Sequence, residues 1–188
     1  MPSADRPGRR RPDVTGTELV GGVEKRELVI VEADPTWPQA FAQHEEQVRA
    51  ALGTTAREIE HVGSTSVPGL AAKPIIDILV IVDDITAEED YLQPLLGMGY
   101  QLRVREPGHR MVRTPALDVH IHILESGDPE RDEYLLLRDH LRRTSTDRAL
   151  YERTKRELVQ SEWADMNAYA EAKTAVITQI KGRARVAE

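Results

Sequence analysis

The run Ile75-Ile76-Asp77-Ile78-Leu79-Val80-Ile81-Val82 constrains the fold of this chain more than any other stretch. It is too uniformly apolar for a strand wet on one face and too short to span a bilayer, so it reads as a central β-strand buried on both sides. One carboxylate interrupts it. An ionised, unpaired acid inside such a strand costs several kcal/mol, so Asp77 must meet a partner. That partner is Lys73 or an arginine in a structural bridge, or else a metal ion or a proton donor. The small-residue loop just upstream favours a functional partner, because perturbed acids cluster at sites.

The segments on either side supply the layers that bury this strand. Leu28 to Val31 is a β-rich run stopped by Asp34-Pro35. Trp37, Phe41, His44, Val48 and Leu52 then recur at spacings of four and three, the apolar stripe of a helix ending near Gly53, with Trp37 and Phe41 as core anchors. Arg57 to Val62 is a strand leading into Gly63-Ser64-Thr65-Ser66. Glu88 to Gly97 is a helix, and residues 100–105, 109–114 and 118–124 are three strands joined by turns at Pro-Gly and Thr-Pro-Ala-Leu. Beyond Gly127-Asp128-Pro129 the chain turns helical to about Arg143, then from Asp147 to about Lys181 with a break near Trp163. Ser145 and Asp147 are candidate N-caps and Gly182 a candidate stop. This order predicts an α/β (α+β) fold: a mixed sheet with helices packed mainly on one side, followed by C-terminal helices.

A chain of 188 residues holds one sizeable core. Residues 1–26, rich in Pro, Gly, Arg and Asp, are expected to form a tail outside the fold; 27–182 form the domain and 183–188 a short C-terminal tail. The net charge of −7 offers no broad attraction to nucleic acid or an anionic membrane, and Arg9-Arg10-Arg11 reads as a solvated charge run. With no cysteine, disulfides, thiolate ligands and a cysteine nucleophile are excluded. No apolar run reaches membrane-span length and the start lacks a signal-like apolar segment, so a cytoplasmic protein is expected.

Two further patterns carry chemistry. Gly63, Ser64, Thr65 and Ser66 end a strand with bare amides and three hydroxyls, the groups that cradle phosphate oxygens, although such loops are also ordinary turns. Lys73, at the far end of the same loop, is a cation for phosphate or for Asp77. In Asp118-Val119-His120-Ile121-His122-Ile123, alternation places Asp118, His120 and His122 on one face, where they can converge on one ion or phosphate. The alternative is the polar face of an edge strand. His61 reads as a satisfied buried histidine. Arg138, Asp139, Tyr151 and Lys155 read by spacing alone as surface residues or i,i+4 pairs.

The stretch from Glu60 through Ile78, EHVGSTSVPGLAAKPIIDI, closely resembles the signature of the GrpB family. Supporting segments are Val31 to Phe41, His120-Ile-His122, Leu136 to Arg142 and Tyr151 to Leu158, so the resemblance spans roughly 28–180. It implies a nucleotidyltransferase-like fold, in which a Gly-Ser loop holds a nucleoside triphosphate and carboxylates on adjacent strands bind a divalent metal. In that superfamily a second carboxylate follows the first by two positions; here Leu79 stands there, which argues against a two-metal site. Asp77, Asp118, His120 and His122 are then the candidate metal ligands, for Mg²⁺ or Mn²⁺, or for Zn²⁺ if the imidazoles dominate. Asp77, Asp118 and His120 are the candidate catalytic groups. Gly63, Ser64, Thr65, Ser66, Lys73, Arg138 and Lys155 are the candidate phosphate contacts for a small-molecule substrate. Three readings stay open: a metal-assisted nucleotidyltransferase, a non-catalytic nucleotide or phosphometabolite module, and a His-x-His transition-metal enzyme.

Overall fold

A computed structural model describes residues 9–186. Among them, the strands β1 (Glu18–Leu19), β2 (Glu58–Val62), β3 (Ile76–Val82), β4 (Gln101–Glu106), β5 (His109–Arg113) and β6 (Val119–Glu125) form one mixed sheet in the order β1-β4-β5-β6-β3-β2. The apolar run at 75–82 supplies an interior strand of this sheet. β3 lies between β6, its parallel partner, and β2, its antiparallel one. Six helices accompany the sheet: α1 (Trp37–Leu52), α2 (Glu88–Gly97), α3 (Pro129–Arg143), α4 (Ser145–Leu158), α5 (Met166–Ala172) and α6 (Thr174–Val186).

Alternation along β3 divides the core. Ile76, Ile78, Val80 and Val82 face the side covered by α1 and α2, where Trp37, Val48, Leu52, Tyr91, Leu92 and Leu95 pack against them. Leu79 and Ile81 face the other side, joining Val62 and Leu124 beneath Tyr134 and Leu135 of α3. Asp77 shares that second face by its parity in the strand. The C-terminal helices gather over it through their own cluster of Leu141, Tyr151, Val176 and Ile180, which rests on Val67 and Leu70 of the loop before β3. The gathering of helices on one side thus describes α1 and α2, while α3 to α6 close the opposite face.

The turn at Asp34-Pro35 and the helix start after Gly127-Asp128-Pro129 appear where they were expected. Asp34 Oδ1 accepts from the Thr36 amide at 2.8 Å in the turn before α1, and Asp128 caps α3 by accepting from the Glu130 amide at 3.0 Å. Other expectations need correction. Leu28 to Val31 is not a strand; it makes one bridge, Val31 to Ala72, because it crosses the loop before β3 rather than a sheet edge. Ser145 is the first residue of α4, with Thr144 at the cap. Asp147 is no cap but a buried acid that accepts from His140 Nε2 at 2.7 Å and Arg183 Nη2 at 2.6 Å. Gly182 lies inside α6.

Residues 9–26, read from composition as a tail, are tied to the domain by charge. Arg9 Nε donates to Glu125 at 2.9 Å, and Asp13 accepts at 2.6 Å from Arg110, itself buried and also paired with Glu88 at 2.7 Å. β1 extends the sheet beyond β4. Residues 1–8 and 187–188 of the expected tails lie outside the described residues.

Candidate active site

The parallel register of β3 and β6 sets Asp77 opposite His120 and Leu79 opposite His122. Both imidazoles therefore rise on the same face as the lone acid. Asp77 Oδ1 lies 3.6 Å from His120 Nδ1 and 3.5 Å from His122 Nε2. Each of the three offers one ligand atom, and these atoms lie within 4.8 Å of one another, a grouping that could hold a metal ion. The contacts are longer than good hydrogen bonds. Burial works to raise the Asp77 carboxyl, but its interactions with the two histidines override this and hold it well below the usual carboxylate range.

Asp118 does not join them. It is exposed just before β6, where its Oδ1 accepts from Thr114 Oγ1 at 2.6 Å. Alternation alone placed it in phase with His120, but the strand begins at Val119 and the turn carries Asp118 away.

The Gly-Ser loop presses on the same acid. Gly63 has φ +69°, and a Cβ built on it would lie 2.9 Å from Asp77 Cβ and closer still to Oδ2. Only glycine lets the loop backbone come this near. Of the three hydroxyls, two are engaged in holding the loop. Thr65 Oγ1 donates to the Ile75 carbonyl at 3.0 Å and meets His61 Nε2 at 3.1 Å, while Ser66 Oγ donates to the Gly63 carbonyl at 2.6 Å. The expectation that all three face a phosphate is corrected: Ser64 is the hydroxyl that lines the cavity. His61 is the satisfied buried histidine expected, stacked on Phe41 at 4.7 Å, with burial pushing it down to about 4.

Gly63, Ser64, Asp77, His120 and His122 open into one cavity of about 430 Å³ beneath the C-terminal helices. Lys155, read by spacing as a surface residue, is 3% exposed. Its Nζ donates to Ser64 Oγ at 3.0 Å and to the Ala71 carbonyl at 2.6 Å, and stands 4.8 Å over the Tyr151 ring. Burial first, then the nearby Lys173, pushes its ammonium down to about 7. Lys73 likewise lines the cavity, lies 4.8 Å over the Tyr169 ring, and is pushed down to about 8 by burial and Lys173. Arg138 lines the cavity too, but donates to Glu60 at 2.7 Å and to the His61 carbonyl at 3.1 Å.

Sequence reasoning missed part of the lining. Arg103 and Arg113 from β4 and β5, Tyr134 from α3, and Tyr169 and Lys173 beyond the break near Trp163 all contribute. Tyr169 Oη is buried without a hydrogen-bond partner among the described residues. No local pattern marks these positions, since the register of β5 and the docking of α5 bring them in.

A mixed sheet with a Gly-Ser loop at its central strand, and a carboxylate and two imidazoles in one cavity, defines an α+β domain with a candidate metal centre. The family model described as "GrpB protein" matches residues 27–183, and the chain belongs to that family. A UPF0157 protein of Streptomyces coelicolor is 56% identical over 180 residues, covering 96% of each chain. The crystal structure of the conserved protein GrpB from Enterococcus faecalis superposes with a TM-score of 0.74 at 30% identity, covering 83% of this chain and 96% of that one. A more distant likeness is to the Cid1 poly(U) polymerase bound to MgATP, with a TM-score of 0.46 at 13% identity over 68% of this chain and 45% of that one. No helix among the described residues is long and apolar enough to cross a membrane.

Proposed function

We propose that this chain is a metal-dependent transferase that moves a nucleotidyl or phosphoryl group from a nucleoside triphosphate to a small-molecule acceptor. One observation carries the reading: the Asp77, His120 and His122 grouping and the Ser64–Lys155 pair with Lys73 line the same cavity. Asp77, His120 and His122 are the ligands for one divalent ion, which would supply positive charge to phosphate oxygens. Ser64 and the loop amides receive phosphate oxygens, and Lys73 and Lys155 answer their charge. Leu79 is fully buried among Val62, Ile81 and Leu124, so no second carboxylate flanks Asp77 where a paired ion would need it.

Two imidazoles beside one carboxylate suit Mn²⁺ or Zn²⁺ better than Mg²⁺. That ligand set also supports a second reading, a transition-metal enzyme of hydrolytic chemistry on the same scaffold. Metal analysis of untagged protein purified without chelator, followed by calorimetry with a non-hydrolysable triphosphate, separates the two. The transferase reading expects triphosphate binding that requires the ion and is lost in Asp77→Asn. A stoichiometric ion with no triphosphate affinity favours the second reading, and absence of both overturns the site.

A further inference from the structure

We propose that His109 and Glu106 are positioning residues for the metal centre, forming a carboxylate–imidazole–imidazole relay that turns the Nε2 lone pair of His122 toward Asp77. The inference rests on the metal reading above.

β4 and β5 form a hairpin closed by Pro107-Gly108, with Glu106 paired to His109 across the turn. Glu106 Oε1 lies 2.6 Å from His109 Nδ1, His109 Nε2 lies 3.2 Å from His122 Nδ1, and His122 Nε2 lies 3.5 Å from Asp77 Oδ1. Four groups from β4, β5, β6 and β3 thus stand in line across the sheet. The two imidazole planes are within 10° of parallel, with ring centroids 5.4 Å apart.

The direction of the protons follows from the two ends. Glu106, as a carboxylate, only accepts, so His109 Nδ1 carries the hydrogen that faces it. A neutral His109 then presents a bare Nε2, and His122 must donate to it from Nδ1. A neutral His122 is left with a lone pair on Nε2, aimed at another acceptor, the Asp77 carboxylate. Two acceptors facing each other at this distance repel unless a second proton on His122 or a metal ion joins them; the proton accounts for the lowered Asp77 carboxyl, and a metal ion bound by both would take its place. Histidine ligands are commonly fixed in this way, by a carboxylate or another acceptor at the far ring nitrogen. Tyr134 Oη lies 3.4 Å from the same His122 Nδ1. Its hydroxyl can share that N–H as an acceptor; if it instead donates to Nδ1, the tautomer of His122 is reversed.

The experiment is ¹⁵N imidazole NMR of histidine-labelled protein, metal-free and with Zn²⁺ alone, alongside Zn²⁺ calorimetry. The relay expects the Nδ1–H tautomer for His109 in the metal-free protein, a hydrogen on His122 Nδ1 with or without metal, and Nε2 ligation of His122 with Zn²⁺. His109→Phe, which keeps a ring but no acceptor, should lower Zn²⁺ affinity about 10–100-fold. Glu106→Gln, whose amide oxygen still accepts from His109, should retain most of the affinity, and Glu106→Leu should not. An Nε2–H tautomer for His122 in metal-free protein overturns the relay, as does wild-type Zn²⁺ affinity in a folded His109→Phe. If wild-type protein binds no Zn²⁺ while both rings carry a hydrogen on Nδ1, the metal reading fails and the relay survives as a structural device.

Discussion

Replacing Gly63 with alanine tests the closest approach in the site. At φ 69° and ψ −175° the residue occupies a region that is essentially closed to side-chain-bearing residues. The backbone strain alone costs about 1–3 kcal/mol, which at about 2–4 °C per kcal/mol for a domain of this size lowers Tm by roughly 2–12 °C. The new methyl group would also stand 2.9 Å from Asp77 Cβ and nearer to its carboxylate, so the acid must move. Gly69 is the control: its φ is +75°, yet a Cβ there meets nothing within 4 Å. Thermal unfolding by circular dichroism and Mn²⁺ titration calorimetry of both variants separate strain from collision. Gly69→Ala should lose stability while keeping wild-type ion affinity. Gly63→Ala should lose stability and, because a ligand is displaced, about 10–100-fold in affinity. A Gly63→Ala protein no less stable than Gly69→Ala and binding Mn²⁺ like wild type would refute the reasoning.

Two other perturbations follow from the geometry. Asp118→Asn should leave Mn²⁺ affinity unchanged while Asp77→Asn removes it, since Asp118 turns back on Thr114; equal losses in calorimetry would restore Asp118 to the centre. The depressed Lys155 makes stability depend on pH. Between its folded value of about 7 and the ordinary lysine value of 10.5 the unfolded chain binds the extra proton, so stability rises with pH across that window. Lys73 adds in the same direction between about 8 and 10.5. Urea unfolding at pH 7, 8 and 9 should show this rise, and Lys155→Met should reduce its slope by up to about 1.4 kcal/mol per pH unit; an unchanged slope would show that Lys155 is not held neutral.

Local physics was sufficient for much of the fold. The apolar run at 75–82, the stripe from Trp37 to Leu52, the Pro-Gly hairpin and the Asp128-Pro129 helix start each depend on neighbours a few residues away, and each appears where its pattern put it. Leu28 to Val31 shows the limit of that reasoning, since β-propensity cannot supply a sheet edge to pair with. The stretch from Arg9 to Leu19 shows it again: polar, proline-bearing composition read as tail, yet Asp13 finds Arg110 and β1 finds β4.

The same division runs through the site. The sequence by itself determined that a carboxylate buried at Asp77 needs a partner, that a glycine-serine bend precedes it, and that two imidazoles share one face of a strand, because alternation and burial cost act along the chain. Only the tertiary structure decided which partners it meets. The parallel register of β3 against β6 brings His120 and His122 to Asp77, the turn before β6 carries Asp118 away, and the docking of α4 to α6 buries Lys155 against Ser64. Register and docking are set by contacts between residues far apart in sequence, and no periodicity within a segment encodes them.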